Sequence, residues 1–91
     1  MPVTVKLPTP LRRHAGQAKA VEVRAGTVGE ALSQLAAAYP GLQPALFGRA
    51  GDLKTFIRIY VGNQDIADLQ GPATPVQPGD IISIVPPVAG A

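Results

Sequence analysis

The group with the clearest chemical potential in this chain is the carboxylate at its C-terminus. The last six residues begin with two prolines, which favour an extended start and cannot continue a strand ladder. The final Ala-Gly-Ala surrounds the carboxylate with almost no side-chain bulk. At about 3.3 Å per extended residue the segment reaches roughly 20 Å, which predicts that it enters another protein's active site. The predicted flexible tail, beyond a single domain at residues 1–85, comprises Pro86, Pro87, Val88, Ala89, Gly90 and Ala91.

The other candidate chemical groups lack partners in the sequence. His14 is the only histidine and has no neighbouring carboxylate or thiol, so a general-base or metal-binding role is not indicated. Asp65, Asp68 and Asp80 lie at predicted turns, where aspartate accepts hydrogen bonds from nearby backbone N–H groups. The absence of cysteine excludes disulfides, thiolate metal sites and a cysteine nucleophile. The glycines lack the spacing of a phosphate-binding loop, so no ATP site is predicted in this chain.

The composition predicts one small globular domain. Ninety-one residues, of which 46% are hydrophobic, are enough for a single core. A net charge of +2, with Lys and Arg scattered along the chain, does not indicate a nucleic-acid partner. No apolar run approaches the roughly 20 residues of a membrane span, and the first residues lack the layout of a signal peptide. We therefore expect a cytoplasmic protein with no membrane partner.

Two strands are predicted near the N-terminus. Val3, Val5 and Leu7 alternate with polar residues, which is the period of a strand with one buried face. The alternation returns with Val21 and Val23 after a loop, so the two strands are expected to form a hairpin.

A helix is predicted over residues 28–39. Thr27 and Glu30 have the spacing of a capping box, in which each side chain bonds the backbone N–H of the other residue. Apolar residues then recur three or four apart, and Pro40 with Gly41 marks the stop. The stripe expected to cover the sheet comprises Val28, Ala31, Leu32, Leu35 and Tyr39.

The C-terminal half predicts a loop and three more strands. Residues 41–54 are rich in Gly and Pro and predict a loop, with Leu42, Leu46 and Phe47 in a short turn at the core edge. Residues 55–61 are β-branched and aromatic, which favours a central strand. The remaining predicted elements are a turn at 62–65, a short edge strand from Ile66, a turn at 78–80 and a final strand at 81–85.

This order of elements predicts an α+β fold of the β-grasp type. The helix crosses one face of a mixed sheet, and the first and last strands lie side by side in the middle. With Ile57, Ile59 and Val61 facing the helix, the alternate side chains share the opposite face. Their mixture of apolar, aromatic and arginine residues is enriched at protein interfaces, although ordinary half-buried packing is the alternative. The predicted partner-docking face comprises Phe56, Arg58, Tyr60, Ile81 and Val85.

Three segments and the tail carry a family resemblance. They are Thr27–Leu32, Phe56–Val61 with the Asn-containing turn after it, and Pro78–Asp80 before the final strand. Together they resemble the ubiquitin-like sulfur carriers of the MoaD, ThiS and CysO type, over essentially the whole chain. The opening segment 3–9, followed by Arg12 and His14, is most similar to the CysO type, which serves cysteine biosynthesis.

The resemblance implies a carrier protein that is acted on by enzymes and is not itself an enzyme. In the family, an E1-like adenylyltransferase of the MoeB/ThiF type uses ATP and Mg²⁺ to convert the terminal carboxylate to an acyl-adenylate. Sulfur then displaces AMP, and the thiocarboxylate delivers sulfur to a synthase. The synthase is cysteine synthase-like for a CysO-type carrier, or the molybdopterin synthase large subunit for a MoaD-type one. Gly90 would supply backbone freedom at the reacting end.

The chain departs from the family at its last residue, where Ala91 replaces the second glycine of a Gly-Gly end. If the partner's channel requires a left-handed backbone there, alanine costs about 1 kcal/mol, and a clash adds about 1–3 kcal/mol. These energies slow activation by roughly tenfold to a thousandfold. Three interpretations remain: a natural variant with a tolerant partner, an engineered block on activation, or a domain that has lost the carrier role.

Other functions share this fold and tail. A MoaD-like subunit of molybdopterin synthase and a thiamine-pathway carrier are close alternatives. A ubiquitin-like modifier that forms isopeptide bonds with lysines has the same kind of tail. A non-catalytic β-grasp binding module, including one that binds RNA, is also open, because a fold does not determine a function.

Overall fold

The computed structural model describes residues 2–48 and 57–85, which form a five-stranded mixed sheet with helices on one face. The strands are β1 (Val3–Lys6), β2 (Ala20–Val23), β3 (Arg58–Val61), β4 (Gln64–Asp65) and β5 (Ile81–Val85). The helices are α1 (Thr9–Arg12), α2 (Val28–Ala38) and α3 (Gln43–Leu46). Single 3₁₀ turns occur at Arg13–Ala15, Pro40–Leu42, Ile66–Asp68 and Gly71–Ala73.

The strand order β2-β1-β5-β3-β4 is that of a β-grasp sheet. The first and last strands, β1 and β5, are parallel neighbours, whereas β1–β2, β5–β3 and β3–β4 are antiparallel. A parallel pair cannot be joined by a tight turn, so the chain between its two strands must cross the sheet. Here α2 is part of that crossing, and the predicted α+β arrangement is confirmed.

The strand predicted at residues 55–61 is an interior strand of the sheet, as expected, over its described part Arg58–Val61. The middle position belongs to β5, and β3 lies between β5 and the two-residue β4. β-branched and aromatic content reports how well side chains fit a pleated surface. Ile82 and Ile84 of β5 are buried to the same degree as Ile59 of β3.

The core lies between the sheet and α2. The predicted helix stripe is confirmed, with Val28, Ala31, Leu32 and Leu35 fully buried and Tyr39 partly buried against the cluster. Leu42 and Leu46 are buried at the end of this core and lie in short helical turns. The predicted loop at 41–54 therefore contains helical structure in its described part. The sheet contributes its inward residues, which are Val3, Val5, Val23, Ile59, Ile82 and Ile84.

The start of α2 is fixed by side-chain and backbone hydrogen bonds. The Oγ1 of Thr27 accepts a bond from the N–H of Glu30 at 3.2 Å, which confirms half of the capping box. The Glu30 carboxylate accepts from the N–H of Gly26 at 3.2 Å, one residue before the predicted Thr27. A bridge between Thr27 and Pro75 also fastens this turn to residues 74–76, and the N–H of Val76 donates to the carbonyl of Gly26 at 3.0 Å.

The predicted edge strand lies two residues earlier than expected. Gln64 and Asp65 form β4, and Ile66 instead begins a 3₁₀ turn. Asp65 causes the change, because its Oδ1 accepts a bond from the N–H of Ala67 at 2.9 Å and so turns the chain. Ile66 is buried beneath that turn.

Two sequence predictions fall on residues that the structure does not describe. The tail at 86–91 and Phe56 of the predicted docking face lie outside the described ranges, so both stay predictions. Within residues 2–48 and 57–85, none of the helices combines the length and the apolar character that crossing a bilayer requires.

We predict that the Thr27 hydroxyl stabilises the fold through the helix start. Thr27→Ala should lower the free energy of unfolding by about 1 kcal/mol, because it leaves the N–H of Glu30 without its acceptor. Thr27→Ser retains an oxygen in the same place and serves as the control. Urea unfolding followed by circular dichroism measures both, and an equal loss in the two variants would contradict a capping role.

Candidate functional site

The sheet face opposite α2 carries the described part of the predicted docking face. The register pairs Arg58 with Val85 and Tyr60 with Ser83, so these side chains lie on one surface. The alternate residues of the same strands, Ile59, Ile82 and Ile84, are buried beneath α2. The sequence prediction of which side chains share this face is therefore confirmed for the described strands.

The centre of this face is an exposed apolar patch, which we call the sheet-face patch: Tyr60, Ile81 and Val85 around Ser83. Ile81 is 40% exposed and Val85 is 37% exposed, whereas the neighbouring Ile82 is 0% exposed. Single exposed apolar residues are common on protein surfaces. Two exposed aliphatic residues beside the half-buried Tyr60 have the composition of an interface centre, which makes this surface the candidate for partner binding.

An ion pair borders the patch on the β3–β4 side. The Arg58 Nη1 donates to Asp65 Oδ2 at 3.0 Å, with the arginine side chain 68% exposed and the aspartate 12% exposed. Asp65 is itself held by the N–H of Ala67. An exposed pair of this kind contributes little to stability, so its main effect is to hold the guanidinium beside Tyr60.

A cleft continues from the patch beyond this ion pair. Its volume is about 410 Å³. Arg58 and Tyr60 belong both to its wall and to the exposed sheet face, so the two surfaces are continuous. The remaining wall comes from the β3–β4 turn and the following 3₁₀ turn, and comprises Asn63, Gln64, Asp65, Asp68 and Leu69.

Strand β1 borders the patch on the other side. Lys6 pairs with Ser83 and Thr4 pairs with Ile81, so their side chains also lie on the exposed face. The patch thus lies between the ammonium group of Lys6 and the guanidinium of Arg58, separated by two strand spacings of about 5 Å each. Charged residues at the border of an apolar centre are typical of a protein-binding surface.

The other singled-out side chains have structural roles. Asp65 caps the turn described above, and the Asp80 Oδ2 accepts from the N–H of Gln77 at 2.9 Å, so the turn prediction is confirmed for both. His14 packs closely against Gly41, where an added Cβ would lie 3.0 Å from the ring Nδ1. The described residues contain no group of His, Asp and Glu side chains that could hold a metal ion.

Sequence reasoning missed the ion pair and the cleft. The signal was present, because opposite charges at 58 and 65 lie on the two sides of the turn at Gly62, whose φ of 61° is in the left-handed region. The edge strand was expected to begin at Ile66, which would have placed Asp65 in a loop, so the pairing of Arg58 with Asp65 was not predicted.

The predicted tail begins beside the patch. Val85 is the last described residue of β5, pairs with Arg58 and is itself part of the patch. Residue 86 follows it directly in the chain. A partner that contacts the patch therefore also contacts the point from which segment 86–91 starts.

Comparison with known proteins gives consistent matches. A model of the ThiS family matches residues 5–90. The sulfur carrier protein CysO of Mycobacterium tuberculosis is 40% identical over 92 residues, which cover 99% of each chain. A chain in the crystal structure of the Amycolatopsis orientalis BexX/CysO complex is 36% identical with a TM-score of 0.89, covering 98% of this chain and 99% of that one. Small archaeal modifier protein 1 of Haloferax volcanii is 30% identical with a TM-score of 0.83, covering 94% and 97%.

These matches span nearly the whole chain in both sequence and structure. Their TM-scores describe the same arrangement of helix and sheet, which confirms the predicted β-grasp class. The match of the family model reaches Gly90, so the predicted tail is included up to its penultimate residue.

We predict that the two faces of β5 differ sharply in their effect on stability. Ile82→Ala should lower the free energy of unfolding by about 2–5 kcal/mol, because the deletion leaves a cavity under α2. Ile81→Ala removes the same atoms from the exposed face and should cost less than about 1 kcal/mol. Chemical unfolding of both variants checks this, and similar losses would mean that the patch is part of the core.

Proposed function

Because the chain belongs to the ThiS family, we propose that it is a sulfur carrier protein, with cysteine biosynthesis as its pathway. The observation that carries the proposal is 40% identity to the carrier CysO over 99% of both chains. The family resemblance inferred from the sequence is thereby confirmed. As a carrier, the chain is a substrate for partner enzymes and does not itself catalyse a reaction.

The proposed chemistry takes place at the carboxylate of Ala91, next to Gly90. A carboxylate resists nucleophilic attack, so a partner must first join it to a good leaving group. An E1-like adenylyltransferase of the MoeB/ThiF type would direct the carboxylate onto ATP with Mg²⁺, forming the acyl-adenylate and releasing pyrophosphate. A sulfur nucleophile then attacks the acyl carbon, AMP leaves, and the thiocarboxylate remains. ATP and Mg²⁺ would be bound by the partner enzyme.

The docking geometry proposed for these steps combines the sheet-face patch with the tail. The exposed Ile81 and Val85 supply apolar area, and Tyr60 adds an aromatic ring between them and the cleft. Segment 86–91 starts at the border of this surface, and six extended residues span roughly 20 Å. A partner that covers the patch could therefore receive the carboxylate in an active site well below its own surface.

The identity of the sulfur acceptor rests on the similarity to CysO. A cysteine synthase-like enzyme is the acceptor that fits a CysO-type carrier, and we favour it over the molybdopterin synthase large subunit and over a thiamine-pathway enzyme. The crystal structure of the BexX/CysO complex, in which a similar chain is bound to another protein, supports docking of this kind. We place these steps in the cytoplasm.

A second function, protein modification, is favoured by one observation. Relatives named small archaeal modifier proteins match this chain, one of them at 38% identity over 64 residues. Such a modifier would form an isopeptide bond between the activated carboxylate and a lysine of another protein. The two functions share the activation step, and they differ in whether the acyl group is transferred to sulfur or to an amine.

We predict that the chain acquires sulfur at Ala91. Incubation with MoeB/ThiF-type adenylating enzymes, ATP, Mg²⁺ and a sulfide source should add the mass difference between one sulfur and one oxygen atom. Intact-protein mass spectrometry detects this change, and fragmentation locates it. Absence of the gain with every such enzyme would refute the proposal, whereas conjugates of higher mass in cell extract would favour the modifier.

Two variants control this experiment. A chain extended by several residues beyond Ala91 moves the carboxylate away from its site and should show no gain. Ala91→Gly restores the Gly-Gly end and should be activated roughly tenfold to a thousandfold faster, if the methyl group imposes the cost estimated from backbone strain and clash. An unchanged rate would indicate a channel that accepts alanine.

We predict that the sheet-face patch binds the activating enzyme. Tyr60→Ala and Ile81→Ala should each weaken binding by about tenfold, because truncation of an interface anchor typically costs more than 1 kcal/mol. Gln43→Ala is the control, since Gln43 is exposed at the start of α3 and lies outside both the patch and the cleft. Calorimetric titration measures affinity, and thermal unfolding should remain nearly unchanged. Equal losses of affinity and stability in Tyr60→Ala would indicate core packing instead.

A further inference from the structure

The charged residues of the described chain are unevenly distributed between the two ends of the sheet. Strands β1 and β5 finish at the same end, where β2 and β3 begin. The connection from β1 to β2 lies at this end and carries cations without any acidic residue between positions 6 and 21. We call this surface the basic end; it comprises Lys6, Arg12, Arg13 and Lys19.

Hydrogen bonds hold the basic end against the sheet. The N–H of Leu7 donates to the carbonyl of Lys19 at 2.9 Å, which extends the β1–β2 ladder by one residue. The Nε of Arg12 donates to the carbonyl of Leu7 at 3.1 Å and so draws that guanidinium close to the same point. Arg13 follows in the 3₁₀ turn at 13–15. The four cations are thus carried by one well-connected segment.

None of the described carboxylates forms an ion pair with the basic end. Glu30 is at the start of α2 and Asp80 precedes β5, both at the opposite end of the sheet. Glu22 lies within β2 as the register partner of Thr4, and Asp68 lies in the 3₁₀ turn after β4. Asp65 forms an ion pair with Arg58, and within the described residues no carboxylate lies within ion-pair distance of the four cations of the basic end. Their charge is therefore not neutralised by any neighbour in the described part of the chain.

We propose that the basic end steers the carrier onto an acidic surface that surrounds the opening through which the partner enzyme admits the tail. This inference rests on the proposed function and adds the charge of the partner's surface. The geometric reason is that Val85 ends at the same edge of the sheet as Lys6, so the tail starts among these cations. A partner that draws in the tail must bring its own surface close to the basic end.

The observations favour a protein partner over a nucleic acid. The basic end borders an apolar patch with two aliphatic residues and one tyrosine, which matches the centre and border of a protein interface. Only four cations are grouped here, and the net charge of the whole chain is +2. RNA binding is nevertheless measured in the test below, as a contradictory outcome.

Electrostatic steering predicts a specific kinetic signature. The screening length is about 8 Å at physiological ionic strength, so attraction between exposed charges acts mainly on association. Complementary charges raise association rates by roughly ten- to a thousandfold at low salt, and the gain falls as salt increases. Reversing one exposed cation at the basic end should therefore lower kcat/KM for activation, with little effect on kcat.

The test uses the full chain and the MoeB/ThiF-type enzyme that adds sulfur to it. Lys19→Glu and Arg13→Glu should each reduce kcat/KM about three- to tenfold at low salt, and the reduction should disappear at high salt. Arg24→Glu is the matched control, because Arg24 is also exposed but follows the other end of β2, near Pro78. It should change kcat/KM less than twofold. Thermal unfolding of all three variants confirms that the fold is intact.

Each contrary result has a distinct meaning. Equal effects of Arg24→Glu and Lys19→Glu, or rates that do not depend on salt, would overturn the steering proposal and leave the carrier function in place. Absence of activation in the wild-type chain would remove both proposals together. Binding of single-stranded RNA that Lys19→Glu and Arg13→Glu abolish, with unchanged kcat/KM, would assign the basic end to nucleic acid instead.

Discussion

The parallel pairing of β1 with β5 is the constraint on which the rest of the molecule depends. Val5 and Ile82 are register partners in the middle of the sheet, and both are fully buried. Because the two strands run in the same direction, the first and last strands finish at one edge. This edge sets the point at which residue 86 begins, and it places that point beside the segment that joins β1 to β2.

One face of β5 contributes to the stability of the core, and the other is exposed and available for recognition. Its inward residues, Ile82 and Ile84, pack under α2, while Ile81 and Val85 remain in contact with solvent. Since successive side chains on a strand point to opposite faces, one short strand serves both the core and the exposed patch. A carrier has to be recognised by more than one partner, and this division allows the exposed face to change without loss of the core.

Polar contacts determine what borders the exposed patch. The Arg58–Asp65 pair holds a guanidinium on the β4 side, and the bond from Arg12 to the carbonyl of Leu7 holds the basic end near the start of the tail. Neither contact is expected to add much to stability, because both involve partly or fully exposed side chains. Their contribution is to fix the position of charge around an apolar centre.

The amino-acid sequence by itself determined the elements with regular periodicity and the family. The alternation at Val3 and Val5 and the stripe along α2 were sufficient to predict the core, because burial of one face requires these periods. Only the tertiary structure decided that β4 precedes Ile66. It also decided that Arg58 meets Asp65 and that four separate cations share one end. These features depend on strand order and on contacts between residues distant in the chain, and local propensity contains no information about either.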